Sequence, residues 1–325
     1  MLQIESVERS QWLSILRTMV RARLTEERLI RLYHQGKIFG GVYTGIGQEA
    51  IGAATTGAAQ AQDLFAPCIR SMTVHLGRGT TVLGVFRQYL GRVTGPTGGR
   101  DGNVHYGNLE AGVYTMISHL GAMLPVIVGG VMARRRRGQD AVGIAYIGDG
   151  GTSTGDFHEA VNFAAVFNVP VVFLIENNKF AYSTPISEQF KCERLIDRAS
   201  GYGIEGYEAD GNDAVTLYFL TSEILERLRR EPKPLLLECD TLRMRGHGEH
   251  DAASYIPESL MDTYKIRDPI EVMKKRLIET DVATEAELDA IANECRSEVN
   301  TAYQQALAEP RPDPGTLLDG VYANA

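Results

Sequence analysis

The sequence predicts an α/β fold: a mostly parallel sheet flanked by helices on both faces. Two observations carry this. Strand candidates at 142–147, 169–175, 203–210 and 234–240 alternate with helical patterns at 154–168 and 215–229. That β-α-β order gives parallel strands joined by right-handed crossovers. Second, the polar stretches GDG and ENN directly follow two of those strands. Open parallel sheets hold ligands at the carboxyl ends of their strands.

Composition narrows the class. Of 325 residues, 44% are apolar and 23% charged, enough for a sizeable core and too apolar for disorder. At roughly 150 residues per domain this is about two domains, or one large α/β domain. The 33 basic and 41 acidic residues leave a net charge of −8, against the basic excess of nucleic-acid binders. No apolar run approaches the roughly 18 residues of a membrane span. The opening MLQIESVERSQW has early acids and no long apolar core, so no signal peptide is read. Cys68, Cys192, Cys239 and Cys295 lie far apart, without CxxC spacing. Neither a zinc or redox site nor a small disulfide scaffold is supported. The expectation is a cytoplasmic enzyme with reduced thiols and no nucleic-acid or membrane partner.

Three segments are expected: an N-terminal helical arm at 1–40, an α/β domain at 41–270, and C-terminal helices with a proline-rich tail at 271–325. In the arm, Trp12, Leu13, Leu16, Met19, Val20 and Leu24 recur at helical spacing up to a stop near Gly36. Gly45 and Gly47 suit a turn, and the alanine-rich text from Gln48 a tightly packed helix. Residues 91–108, GRVTGPTGGRDGNVHYGN, are too glycine-rich for a stable helix. They read as a long functional loop, ordered or ligand-gated. Residues 120–137 are helical and close on Arg134–Arg137. These arginines read as cations complementing a helix dipole, with a phosphate site as the competing reading. In the helix at 154–168, Phe157, Val161, Ala164 and Ala165 share one face. A polar loop is expected at 243–268, then helices to about 308, then an irregular tail on the surface or against a partner.

The sharpest signal is Gly148-Asp149-Gly150, then 26 residues, then Asn177-Asn178. The spacing puts one carboxylate and one carboxamide at adjacent strand ends. Both are hard oxygen ligands suited to Mg²⁺, which takes six oxygens and is commonly shared with phosphates. Gly148 and Gly150 let the backbone bend close to a ligand. The helix that follows can aim its N-terminus at phosphate oxygens.

The spacing GDG-x26-NN matches the thiamine diphosphate motif. YIGDGGTSTGDFHEAVNFAAVFNVPVVFLIENNKFAYSTPISEQF resembles the alpha subunit of the decarboxylating component of 2-oxo acid dehydrogenase complexes. GQEA at 47–50, GGRDGNVHYG at 98–107, YGIEGYEADGND at 202–213 and RGHGEHD at 245–251 fit that group in order. It includes the pyruvate, branched-chain 2-oxo acid and acetoin enzymes. The resemblance covers the chain from about residue 15 and implies a thiamine diphosphate-binding fold with thiamine diphosphate and Mg²⁺ as cofactors. It makes Asp149, Asn178 and the main-chain carbonyl of Phe180 the metal ligands. Gly148, Gly150 and Gly151 would lie at the diphosphate, and Arg70 would pair with it. Ser118 and the backbone of Leu120 would stand beside the aminopyrimidine. His247 would bind diphosphate or steer acyl transfer, and His105 would face the substrate side. Two departures stand out: Ile69 replaces a frequent tyrosine, and Gly248 replaces the regulatory serine of mitochondrial relatives, so phosphorylation there is impossible.

The resemblance also implies a reaction and partners. A 2-oxo acid is decarboxylated and its acyl group passed to a lipoyl-bearing acyltransferase component. The glutamate placed against the pyrimidine ring comes from a beta subunit in an α2β2 heterotetramer. Glu49 and Glu159 read as local structural or interface acids, so the chain alone is expected to be silent. HYG and AYSTPISEQ lean toward branched-chain members. Pyruvate, acetoin and a non-lipoyl thiamine enzyme half-subunit remain open.

Overall fold

The computed structural model describes residues 4–322. Helix α1 (Arg9–His34) buries Trp12, Ile15, Leu16, Met19 and Val20 on one stripe, the pattern of a helix facing a core. The Trp12 indole N–H donates to the Ile4 carbonyl at 3.1 Å. Helix α2 (Glu49–Ala58) is built of small residues and packs closely on α3 (Met72–Gly77). A Cβ on Gly52 would stand 2.1 Å from Thr73 Oγ1, so only glycine allows that approach. Between them lies β1 (Leu64–Ala66), and α4 (Val82–Tyr89) follows. Then come α5 (Met123–Arg136), β2 (Gly143–Gly148), α6 (Gly155–Val166) and β3 (Val171–Asn177). A small ribbon, β4 (Phe180–Ala181) with β5 (Thr184–Pro185), leads into α7 (Ile186–Gln189) and α8 (Ala199–Tyr202). The chain continues through β6 (Glu205–Asp210), α9 (Ala214–Arg230), β7 (Leu235–Asp240) and α10 (Glu258–Ile266). It ends in α11 (Pro269–Glu279) and α12 (Glu285–Ala308).

The main sheet runs β1-β2-β3-β7-β6, with all pairs parallel. Every residue of the central β3 is buried, which is why VVFLI reads as continuous apolar text. Its side chains alternate. Val172 and Leu174 join Ile144, Tyr146, Leu235 and Leu237 under α1, α2, α9 and α11. Val171, Phe173 and Ile175 join Ala145, Ile147 and Leu236 under α5, α6 and α8. Helices therefore cover both faces, as the alternating pattern requires. Arg9–Glu287, Arg17–Glu294 and Arg21–Glu298 tie α1 to α12 at 2.5–2.7 Å. These pairs are partly or well exposed, so each adds at most about 1 kcal/mol and the apolar seam dominates.

Residues 91–107 contain neither helix nor strand, as expected for the glycine-rich loop. Val104 and Tyr106 anchor it in a third core with α3, α4 and α12. In α6, Phe157, Val161 and Ala164 are buried and Ala165 is half-buried. Several elements were not visible beforehand: β1, α3, α4, the β4–β5 ribbon, α7, α8 and α10. Strand β1 spans three residues and α3 six, too short for a period to show. Residues 258–266, expected within a polar loop, form α10 instead. Tyr264 is buried there, with Leu260 and Met261 packed around Phe180, Leu242 and Ile256, and its hydroxyl donates to Asp240 Oδ2 at 2.9 Å. Beyond α12 the described tail has only a short 3-10 turn at Pro314–Thr316 and exposes Leu317, Leu318, Val321 and Tyr322. Residues 323–325 lie outside the described residues. Among the described residues no helix is long and apolar enough to cross a membrane.

Candidate active site

A cavity of about 480 Å³ opens at the carboxyl ends of β1, β2 and β3. Strand β2 ends at Gly148 and delivers Asp149, which is 1% exposed; β3 ends at Asn177 and delivers Asn178. These are adjacent parallel strands in register, so the two side chains meet. The Asn178 carboxamide lies 3.2 Å from Asp149 Oδ1 and 3.1 Å from the Phe180 carbonyl oxygen. With its nitrogen turned that way, the amide donates to both. With its oxygen turned that way, three oxygens face one point, an arrangement that a cation resolves. A carboxylate, an amide and a main-chain carbonyl are hard donors that fit Mg²⁺. Among the described residues no group of three or more His, Cys, Asp or Glu could hold a metal, so a softer transition metal has no comparable site.

The other carboxylate oxygen, Asp149 Oδ2, accepts from Gln189 Nε2 at 2.6 Å. Burial raises the Asp149 carboxyl, and the Gln189 hydrogen bond opposes this. Gln189 therefore holds that carboxylate in place. Replacing it with leucine should weaken Mg²⁺ binding by about 10- to 100-fold, the usual effect of losing such a partner. Metal titration calorimetry checks this, and an unchanged affinity would show that Gln189 carries no such role.

Beside Asp149 and Asn178 lie two buried guanidiniums. Arg70 donates to the Thr44 carbonyl at 2.8 Å and the His247 carbonyl at 3.3 Å. Arg243, 1% exposed, donates to the Tyr182 carbonyl at 2.9 Å and to Tyr255 Oη at 2.7 Å. Among the described residues neither forms an ion pair. Burial, then neighbouring Arg243, lowers Arg70 to about 10. The cavity's Glu176 is pushed up to about 7 by burial, against the pull of Arg70. Buried cations without carboxylate partners are costly, and an anionic ligand offsets that cost. Gly150 and Gly151 begin the turn that leads into α6. A Cβ on Gly150 would stand 2.4 Å from the Ala181 Cβ, so only glycine fits there.

His247 sits between the rings of Tyr43 and Tyr182, at centroid distances of 5.4 and 4.8 Å. Its main-chain N–H donates to Asp251 Oδ2 at 2.6 Å. Burial first, then Arg70 and Arg243, lowers the imidazole to about 4, so it is neutral at pH 7. A polyanion beside it would raise that value. Binding of a diphosphate below neutral pH should then take up a proton at His247. Calorimetry in buffers of different ionisation enthalpy measures this, and His247→Asn should lose that share of the uptake. Equal uptake in both proteins would contradict the assignment.

Residues 17–315 match the family described as Dehydrogenase E1 component. The chain belongs to that family. The alpha subunit of acetoin:2,6-dichlorophenolindophenol oxidoreductase from Cupriavidus necator is 33% identical over 319 residues, covering 98% of this chain and 96% of that protein. The 2-oxoisovalerate dehydrogenase subunit alpha of Bacillus subtilis is 35% identical, covering 94% of each. The pyruvate dehydrogenase E1 component subunit alpha of Rickettsia felis is 30% identical, covering 97% and 96%. The chain is thus an oxidoreductase of the 2-oxo acid dehydrogenase type, in a family that depends on thiamine diphosphate.

In this E1-family chain the cavity gathers Arg70, Ser118, Leu120, Gly148, Asp149, Gly150, Gly151, Asn178, Phe180 and His247. His105 is not among the lining residues; its Nε2 lies 3.0 Å from Ser118 Oγ. Sequence reasoning missed Tyr43, His119, Glu176, Tyr182, Gln189 and Arg243. Glu49 is buried in an ion pair with Arg23 and accepts from the Gly47 N–H at 3.0 Å, away from the cavity. Glu159 is exposed on α6. Both fit their reading as local acids.

Proposed function

We propose that the chain is the alpha subunit of a cytoplasmic, thiamine diphosphate- and Mg²⁺-dependent 2-oxo acid dehydrogenase. It would work in an α2β2 heterotetramer and pass the acyl group to a lipoyl-bearing acyltransferase component. The observation that carries this is one cavity end where Asp149, Asn178 and the Phe180 carbonyl converge beside two unpaired buried arginines. When bound, the cofactor supplies the carbanion chemistry that decarboxylation needs. The chain's residues supply placement. Asp149, Asn178 and Phe180 would hold the metal. Arg70, the Gly150 and Gly151 backbone and His247 would hold the diphosphate. Arg243 would keep the Tyr182 wall in place. Ser118 and Leu120 would flank the pyrimidine end. Leu120 is 64% exposed beside the cavity, which supports a second subunit closing that wall.

A second reading, acetoin as substrate, is favoured by the Cupriavidus relative. Pocket differences of one methylene change preference by only about 1–3 kcal/mol, so these substrates lie close together. The test supplies the chain, its beta partner, both cofactors and a lipoyl domain. Mass spectrometry should find the lipoyl group reduced and acylated. Release of a free aldehyde with the lipoyl domain unmodified would contradict the lipoyl assignment.

A further inference from the structure

His105 sits inside a chain of side-chain contacts that the cofactor site does not explain. Its Nδ1 lies 3.2 Å from Asp101 Oδ1, and its Nε2 3.0 Å from Ser118 Oγ. Asp101 Oδ1 also accepts from the Gly102 N–H at 2.6 Å. The Asp101 carbonyl accepts from Gln88 Nε2 at 3.2 Å and Thr97 Oγ1 at 3.3 Å. Arg100 donates to the Thr316 carbonyl at 3.1 Å and to the Asp319 carbonyl, so the tail clamps the loop that carries Asp101.

An ionised carboxylate can only accept, so Nδ1 of a neutral His105 carries the proton. Its Nε2 is then a lone pair, and the Ser118 hydroxyl must donate to it. That turns the Ser118 proton away from the cavity and leaves oxygen lone pairs facing it. We propose that Asp101, acting through His105, fixes Ser118 as a hydrogen-bond acceptor on the cavity wall. Asp101 is then a positioning residue that favours a ligand with an amino group at that wall over one with a carbonyl. Without Asp101, His105 is free to take the other tautomer. Its Nε2–H would donate to Ser118, and the serine proton would turn into the cavity. The same wall would then favour a carbonyl.

This inference rests on the function proposed above, which places the cofactor's aminopyrimidine at Ser118. The test uses the complex with its beta partner and Mg²⁺. Calorimetry compares thiamine diphosphate with the analogue carrying a carbonyl in place of the ring amino group. The readout is the ratio of the two affinities. Asp101→Ala should lower the ratio about fivefold in favour of the carbonyl analogue, the scale of one hydrogen bond gained or lost. In a Ser118→Ala background the Asp101 substitution should change nothing further, because the two act as one unit. Asp101→Asn, which keeps an acceptor oxygen, should fall between parent and alanine. Parallel loss of both affinities with an unchanged ratio would mean a merely structural role and would overturn the proposal. If the parent complex bound neither compound, the functional reading itself would fail and this inference with it.

Discussion

Replacing Asp149 with alanine is expected to abolish Mg²⁺-dependent binding of thiamine diphosphate, lowering affinity by at least about 100-fold. Loss of a group that merely supports a metal ligand already costs 10- to 100-fold. Asp149 supplies the carboxylate oxygen 3.2 Å from the Asn178 amide, which also lies 3.1 Å from the Phe180 carbonyl. Without it the Asn178 amide and the Phe180 carbonyl offer only neutral oxygens at that point. The same substitution should not unfold the protein. Burial raises the folded Asp149 carboxyl above its ordinary value, so its ionised form opposes folding at neutral pH. That penalty fades as pH falls through the raised value. The metal-free variant should therefore melt at or above the parent temperature at pH 7. Calorimetry with Mg²⁺ and cofactor reads the affinity. An unchanged affinity in a folded variant would remove the metal assignment.

The purified chain alone is expected to show no turnover, and addition of its beta partner should restore it. The reason lies in the cavity. Its lining carboxylates are Asp149 and Glu176, at neighbouring positions of two paired strands. Both lie at the end of the cavity that Asn178 and Arg70 also line. On another side, Ile117 and Leu120 stand exposed. Subunit mixing with an electron-accepting dye checks this, and robust turnover by the single chain would sink the two-subunit account.

Legibility in the sequence followed physical range. Strand β3 was plain because a strand buried on both faces must be apolar throughout. Asp149 and Asn178 were plain because β2 and β3 are neighbouring parallel strands, so the residues that follow them emerge at the same end of the sheet. Arg243 was not. In RMRGHGEHD it reads like Arg245, yet the fold buries Arg243 against Tyr182 and Tyr255 and leaves Arg245 ion-paired with Glu249 near the surface. Gln189 follows Asp149 by 40 residues, and only the β4–β5 ribbon brings it back to the carboxylate. Helix α10 was hidden because acidic and polar residues diluted the Leu260, Met261 and Tyr264 stripe. His105 was found as a residue, but its place behind Ser118 depends on a loop with no period to read.

We propose this chain as half of a thiamine diphosphate-dependent 2-oxo acid dehydrogenase. The most direct test purifies it with its native beta partner, adds thiamine diphosphate and Mg²⁺, and follows dye reduction. Pyruvate, branched-chain 2-oxo acids, 2-oxoglutarate and acetoin are each offered. The account predicts turnover of one 2-oxo acid class with release of carbon dioxide. Turnover of acetoin alone would move the chain to the acetoin branch, and silence on every substrate with cofactor bound would contradict the account.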